Sequence, residues 1–160
     1  MLRVRQFQLP DLARILSIEQ ASFGEDAWDE ELFLAFHRKC PDLFLVATIR
    51  RRIAGYSITC AGSRKAELAS IAVDPRHRRH GAGLALLNYT IAELRSRKAK
   101  SWWLMVDVDN KAAIGFYEKY GFEQTRRVKR YYGRGRDAWR MRYSLTATKA
   151  SPGTNPPTAR

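Results

Sequence analysis

The sequence predicts an α/β (α+β) fold in which one sheet is layered with helices. Strand-like and helix-like segments alternate along the 160 residues, and that length suits one domain rather than two. A hydrophobic share of 45% and a charged share of 28% are typical of globular proteins. No apolar run approaches the roughly 20 residues of a membrane helix, and the N-terminus lacks the apolar core of a signal peptide. We therefore expect no membrane association.

The first half of the chain contains four predicted strands and two predicted helices. Polar and apolar residues alternate over 2–7, which favours a strand. Pro10 suits the first turn of a helix that carries Leu12 and Ile15 on one face. A second helix is expected over 28–38, and strands follow at 43–49, 53–61 and 66–73.

The second half contains three further strands and two helices. Leu84, Leu87, Ile91 and Leu94 keep helical spacing within the helix expected over 81–98. A strand is expected over 102–108, and Gly121 suits the end of a helix over 112–120. The last strands, 123–131 and 138–145, could pair as a hairpin. We expect one domain over 1–147 and a disordered, proline-rich tail over 148–160.

The net charge of +13 is the unusual feature of the composition. The electrostatic field of such a charge attracts anions, including nucleic acid, acidic peptides and coenzyme A phosphates, without selecting among them. Cys40 and Cys60 lack metal or redox spacing. Free thiols in a reducing cytoplasm are therefore expected.

A basic, glycine-containing loop joins a strand to a helix at residues 74–83. The N–H groups at a helix N-terminus form an anion site, and Gly81 and Gly83 let a pyrophosphate approach the backbone. Arg76, Arg78 and Arg79 add positive charge. The alternative is a pair of glycines that simply starts a helix beside a solvated basic loop.

Residues 78–83, Arg-Arg-His-Gly-Ala-Gly, resemble the Arg/Gln-x-x-Gly-x-Gly/Ala signature of the GNAT acetyltransferase superfamily. Residues 110–122 resemble the same family's Asn-x-x-Ala-x-x-x-Tyr-x-x-x-Gly-Phe segment. The resemblance covers roughly residues 1–145. It implies a central mixed, mostly antiparallel sheet of about seven strands flanked by about four helices, and an N-acetyltransferase that uses acetyl-coenzyme A (acetyl-CoA).

The resemblance also implies which residues bind the co-substrate. Those expected to contact acetyl-CoA are Ile71, Ala72, Val73, Arg78, Arg79, His80, Gly81, Ala82, Gly83, Leu84, Asn110, Ala113 and Tyr117. Tyr117 would lie near the sulfur of coenzyme A and return a proton to the leaving thiolate. Backbone N–H groups near residues 71–73 could polarise the thioester carbonyl.

Within the superfamily, the chain resembles the branch that acetylates protein N-termini, including the ribosomal-protein-alanine acetyltransferases. Residues 18–23 with Trp28, residues 66–75 and residues 130–141 carry this likeness. It implies that Phe23, Trp28 and Tyr131 bind the acceptor, although Tyr131 and its neighbour could simply pack in the hairpin. The implied partner is a protein or peptide, with a ribosomal protein as one candidate, and the chain would be a monomer or weak homodimer.

The general base is the point where the sequence departs from this branch. The branch has a glutamate in a Leu-Glu-Val motif, whereas residues 104–106 read Leu-Met-Val, and Met105 cannot accept a proton. Glu67 matches the base position of the superfamily's histone acetyltransferases and is the preferred substitute. Asp107 is the other candidate, because strand alternation places it on the same face as Met105.

Several other functions remain open from the sequence. The acceptor could be a lysine or a small amine, and Met105 also allows an acetyl-CoA binder without catalysis. Residues 126–142 carry eight Lys or Arg against one Asp among aromatic residues, so an RNA or ribosome docking surface is a further possibility. His77 and His80 have no metal-ligand partners at the right spacing, so we expect no metal site.

Overall fold

The computed structural model describes residues 1–146, and the predicted tail 148–160 lies outside them. Seven strands and four α-helices form this part of the chain. The strands are β1 (Leu2–Gln6), β2 (Phe44–Ile49), β3 (Arg52–Ala61), β4 (Lys65–Val73), β5 (Ser101–Asp107), β6 (Glu123–Val128) and β7 (Ala138–Ser144). The helices are α1 (Leu12–Phe23), α2 (Glu30–Lys39), α3 (Ala82–Ser96) and α4 (Lys111–Tyr120). The predicted α/β architecture is confirmed.

The strands form one sheet in the order β1-β2-β3-β4-β5-β7-β6. Every neighbouring pair is antiparallel except β4 and β5, which are parallel and are connected through α3. The predicted hairpin of the last two strands is confirmed, but β6 ends at Val128 rather than residue 131. Arg130, Gly133 and Gly135 have positive φ there, so the chain turns instead of extending.

Helices cover both faces of the sheet. On one face α3 and α4 enclose the larger core, with Trp102 and Leu104 fully buried. On the other face α1 and α2 enclose a smaller core around Phe33, Phe44 and Tyr56. In the described part of the chain, no helix has the length and apolar character to cross a bilayer.

The parallel strands β4 and β5 separate halfway along their length. Their pairing joins only Lys65–Leu68 with Ser101–Leu104, after which β4 continues against β3 and β5 against β7. A register shift in the β3–β4 pairing leaves Ala69 as an extra residue at this point. The two strands therefore open a cleft at the middle of the sheet.

The expectation of free thiols is wrong, because Cys40 and Cys60 form a disulfide. Cys40 ends α2, and Cys60 lies on β3, which packs beside that helix end. Their Cα atoms are 5.2 Å apart, within the range that a disulfide requires. The sequence argument rested on the cellular compartment, whereas packing between a helix end and a strand decided the pairing.

Candidate active site

A cavity of about 520 Å³ fills the cleft between β4 and β5. We call it the first cavity. β4 contributes Ala69, Ser70 and Ile71, and β5 contributes Met105, Val106 and Asp107. Seven of the residues predicted from the sequence line this one space: Phe23, Trp28, Ile71, Asp107, Asn110, Ala113 and Tyr117.

Ala72 and Val73, also expected beside the co-substrate, continue β4 beyond the cavity. Their side chains are buried on opposite faces of the sheet, that of Ala72 under α1 and that of Val73 under α3. Any contact that these two residues make with a ligand in the cleft would therefore involve their backbone.

We call residues 74–81, which the sequence predicts to bind phosphate, the phosphate-binding loop. It ends where α3 begins. Gly81 is the residue before the helix and has φ +84°, a left-handed conformation that glycine adopts readily. No side chain caps this end of α3, so the N–H groups of its first turn are available to an anion. Ala82 and Gly83 are buried, and Leu84 is half-buried. Gly81 and Gly83 have no side chain that would separate a phosphate from the backbone.

Basic residues surround that helix end. Arg79 and His80 are exposed, and Arg78 folds back so that its Nε donates to the carbonyl of Val73 at 3.3 Å. The glycine conformation, the uncapped 15-residue helix and these cations together fit the pyrophosphate of a coenzyme A molecule. In residues 1–146 no group of His, Cys, Asp or Glu is arranged to hold a metal ion.

Asp74 connects the phosphate-binding loop to the rest of the fold. Its buried carboxylate accepts hydrogen bonds from Arg14 and from the backbone and side chain of Arg76. Burial alone would raise the pKa of Asp74, but the hydrogen bonds from Arg76 and Arg14 outweigh it and lower the pKa below its usual value. Asp74 is therefore ionised and fixes the loop at the end of β4.

Tyr117 reaches the cavity from α4. The ring is buried against Phe116 and Phe122. Asn110 begins this helix, and its side-chain oxygen accepts a hydrogen bond from the N–H of Ala113 at 3.2 Å. Asn110 is therefore the N-cap of α4. The cap helps to set the position of α4 and hence of Tyr117.

Carboxylates from distant parts of the chain gather in the first cavity, and sequence reasoning missed three of them: Glu19, Asp26 and Asp109. Glu19 is 1% exposed. It accepts hydrogen bonds from the hydroxyl of Tyr56 and from the N–H of Trp28 at 2.9 Å. The sequence did contain a signal that could have identified Glu19. This residue lies four positions after Ile15, on the buried face of α1, where charged side chains are rare.

A second cavity of about 400 Å³ adjoins the first. The two share four lining residues, Trp28, Ala69, Met105 and Tyr132. Glu67 and Tyr131 line only the second cavity, so Glu67 is the one candidate base that does not share a cavity with Tyr117. Tyr132, which lines both cavities, was not singled out from the sequence.

Asp107 lies in the first cavity with both carboxylate oxygens engaged. Oδ2 accepts a hydrogen bond from Arg136 at 3.1 Å, and Oδ1 accepts one from the backbone N–H of Asp109 at 2.9 Å. Met105, Asp107 and Trp103 point to the same face of β5, as strand alternation predicted. Of the two candidate bases, Asp107 is the one beside Tyr117.

Comparison with known proteins shows the family of this chain. The sequence profile of the acetyltransferase (GNAT) family matches residues 9–122. The [ribosomal protein bS18]-alanine N-acetyltransferase of Escherichia coli is 34% identical over 129 residues, which are 81% of this chain and 86% of that protein.

Solved structures show the same fold. Ard1 from Thermoplasma volcanium is 31% identical with a TM-score of 0.86, covering 91% of this chain and 99% of that one. Chaetomium thermophilum Naa20, solved in complex with a bisubstrate analogue, is 27% identical with a TM-score of 0.80. The match covers 89% of this chain and 86% of that one. The chain therefore belongs to the acetyltransferase (GNAT) family and is an N-acetyltransferase whose co-substrate is acetyl-CoA.

Proposed function

We propose that the acceptor is the free N-terminal α-amino group of a protein or peptide. The observation that carries this proposal is the continuity of the two cavities, which extend from Tyr117 outward between the α1–α2 loop and the β6–β7 loop. Such a channel accommodates an extended chain that enters amine first. The E. coli relative named above acts on an alanine of a ribosomal protein, and a ribosomal protein is one acceptor that we propose to test.

The charges in the first cavity suit an N-terminal ammonium. Glu19, Asp26, Asp107 and Asp109 all line it, and negative side chains attract a cationic group during encounter. An α-amino group has an ordinary pKa near about 8, against about 10.4 for lysine. A weak base is therefore enough to deliver the neutral nucleophile at physiological pH.

Different residues of the cleft would perform different steps of the reaction. Acetyl-CoA supplies an acyl group activated as a thioester. The N-terminus of α3 and Arg79 would hold its phosphates, and backbone N–H groups of Ile71 to Val73 would stabilise negative charge on the acyl oxygen. Tyr117 would supply the proton that the departing sulfur takes up.

We propose Asp107 as the general base, acting directly or through one water. The supporting observation is that Asp107 and Tyr117 line the same cavity, whereas Glu67 faces the second cavity. A base must be within hydrogen-bond reach of the amine or one water away from it. Glu67, preferred from the sequence, remains the alternative.

The test is acetyl transfer from acetyl-CoA to short peptides with free N-termini, run beside N-blocked peptides that carry a lysine and beside a polyamine. Transfer to free N-termini alone is the expected result. Transfer to lysine alone would contradict the proposal and would favour Glu67 as the base. Binding of acetyl-CoA without transfer to any amine would indicate a non-catalytic binder.

The quaternary state and location follow as further proposals. We infer a monomer or weak homodimer, which sedimentation analysis would test. A cytoplasmic location remains the expectation from the sequence, although the Cys40–Cys60 disulfide argues against a strongly reducing compartment.

A further inference from the structure

A cluster of cations around one tryptophan lies outside the acetyl-transfer site. We call Lys65, Trp103, Arg140 and Arg142 the basic platform. The Lys65 ammonium is 5.6 Å from the centre of the Trp103 ring, and the guanidinium carbons of Arg140 and Arg142 are 4.3 and 5.8 Å from it. The indole Nε1 donates to Ser101 Oγ at 2.8 Å, which fixes the ring. These distances are those of cation–π contacts.

The platform shares a face of the sheet with the second cavity. Strand register pairs Trp103 with Arg142 and with Glu67, and pairs Met105 with Arg140. Directly paired residues point to the same face. Glu67 and Met105 line the second cavity, so the platform begins where that cavity ends.

Among the described residues, the cations of the platform form no salt bridge with an acidic side chain. Within residues 1–146, none of the salt bridges involves Lys65, Arg140 or Arg142, and the buried Nε of Arg140 has no hydrogen-bond partner. Register places Arg126 beside Arg140 and Glu123 beside Arg142. Together with Glu67, the platform and these paired neighbours comprise four cations and two carboxylates, which is a net positive charge.

We propose that the basic platform binds acidic side chains of the acceptor polypeptide, a few residues after its N-terminus. This inference rests on the proposed function, since the acceptor must leave through the second cavity. Residues i and i+2 of a strand are about 6.6 Å apart, the length of about two extended residues. An acceptor whose second or third residue passes Met105 therefore brings its fourth or fifth residue over Trp103.

The packing around Trp103 favours an acidic peptide over RNA. Single-stranded nucleic acid is held largely by bases that stack on aromatic faces. The guanidinium of Arg140 already lies over the Trp103 ring at 4.3 Å, so this indole face is covered. The cations that cover it still have free donors for carboxylates.

The test compares three peptides with the same first three residues and with acidic, neutral or basic residues at positions four to six. The full-length protein is assayed for transfer and, by fluorescence anisotropy, for binding of the same labelled peptides. We expect a KM about five-fold lower for the acidic peptide than for the neutral one, with similar kcat, because exposed ion pairs are individually weak. The preference should shrink in high salt.

Two double variants test the platform. One combines Arg140→Gln with Arg142→Gln. The other uses exposed positions only and combines Lys65→Gln with Arg142→Gln. Each should abolish the preference while kcat with the neutral peptide and KM for acetyl-CoA stay unchanged. The control, Arg134→Gln with Lys119→Gln, removes two charges elsewhere and should retain the preference. Equal KM values for the three peptides in the wild type, or an unchanged preference in both platform variants, would overturn the proposal.

Two further outcomes are informative. Platform-dependent binding of a labelled oligouridine, with no preference among the peptides, would assign the surface to nucleic acid and overturn the proposal. The acidic peptide could bind more tightly in a platform-dependent way without acetyl transfer to any free N-terminus. That result would support the docking surface and contradict the proposed function. Failure of the docking proposal and failure of the proposed function are therefore distinguishable.

Discussion

Arg136 and Asp26 form a two-point ion pair at the mouth of the first cavity, although 110 residues separate them along the chain. The guanidinium donates to the two oxygens of Asp26 at 3.0 and 2.9 Å and to Asp107 at 3.1 Å. The pair connects the α1–α2 loop to the β6–β7 loop. Arg136 lowers the pKa of Asp26, so this carboxylate is ionised near neutral pH.

Breaking this connection should weaken acceptor binding. For Arg136→Gln we expect KM for a peptide acceptor to rise several-fold, because the two loops that flank the cavity lose their link, while KM for acetyl-CoA stays unchanged. The free energy of unfolding should change little, since both side chains of the pair are exposed to solvent. Arg134→Gln is the control, and steady-state kinetics with both variants checks the prediction. An unaltered peptide KM would show that the ion pair has no part in acceptor binding.

Removing the hydroxyl of Tyr117 should affect turnover rather than binding. Tyr117→Phe keeps the ring that packs against Phe116 and Phe122, so Tm should change little. Loss of a general acid lowers rates by about 100-fold or more, and we expect kcat to fall by that order with KM for acetyl-CoA nearly unchanged.

Tyr120→Phe is the matched control for Tyr117→Phe. The Tyr120 hydroxyl donates to Asn88 Oδ1 at 2.6 Å outside the cavity. This variant should lose about 1 kcal/mol of stability and keep its kcat. Wild-type turnover in Tyr117→Phe would remove this residue from the mechanism.

The two candidate bases can be separated by pH–rate profiles. For Asp107→Asn we expect kcat/KM at pH 7 to fall about ten-fold or more. The deficit should narrow above about pH 8, where the α-amine deprotonates unaided. Glu67→Gln should follow the wild-type profile, and a pH-dependent loss confined to Glu67→Gln would identify Glu67 as the base.

Asp74 should make the protein acid-sensitive. Because its pKa is lower in the folded state, its stabilising contribution is fully present above the ordinary aspartate pKa of about 3.9. That contribution is lost as the pH falls through the lower folded-state value. Asp74→Asn should lose about 2 kcal/mol at pH 7, and its unfolding free energy should vary less with pH between 4 and 2.

Urea unfolding of the wild type and of Asp74→Asn at several pH values checks this prediction. Asp42→Asn is the control, because that carboxylate is 65% exposed. KM for acetyl-CoA should also rise in Asp74→Asn, since Asp74 fixes the phosphate-binding loop. Parallel pH dependences in wild type and Asp74→Asn would exclude Asp74 as the source of acid sensitivity.

The disulfide should contribute to both stability and acceptor binding. Cys40 and Cys60 are 20 residues apart, and closing a loop of that size stabilises a fold by about 3 kcal/mol. Cys60 also lines the second cavity. The Cys40→Ser, Cys60→Ser double variant should lose about that stability and show a higher peptide KM with little change in kcat. A thiol titration that found two free cysteines in the denatured, unreduced protein would contradict the pairing itself.

The elements that the sequence predicted well are those set by local pattern. All seven strands and four helices were expected, and each bound that was predicted lies within a few residues of the observed one. Alternation, helical spacing and glycine positions act over a single segment, which makes them readable from the sequence. The order of strand, glycine-containing loop and helix over residues 65–96 was also predictable, since these segments are contiguous in the sequence. The predicted end of β6 was wrong. The sequence pattern typical of a strand continues to residue 131, whereas the backbone turns at Arg130.

The sequence by itself determined the family, the co-substrate and the loop predicted to bind its phosphates, because each depends on residues close together in the chain. Only the tertiary structure decided the Cys40–Cys60 bond, the gathering of Glu19, Asp26 and Asp107 around one cavity, and the separation of Glu67 from Tyr117. These relationships depend on where β4 and β5 diverge and on which loops meet above the cleft. Such long-range packing leaves no periodic signal in the sequence.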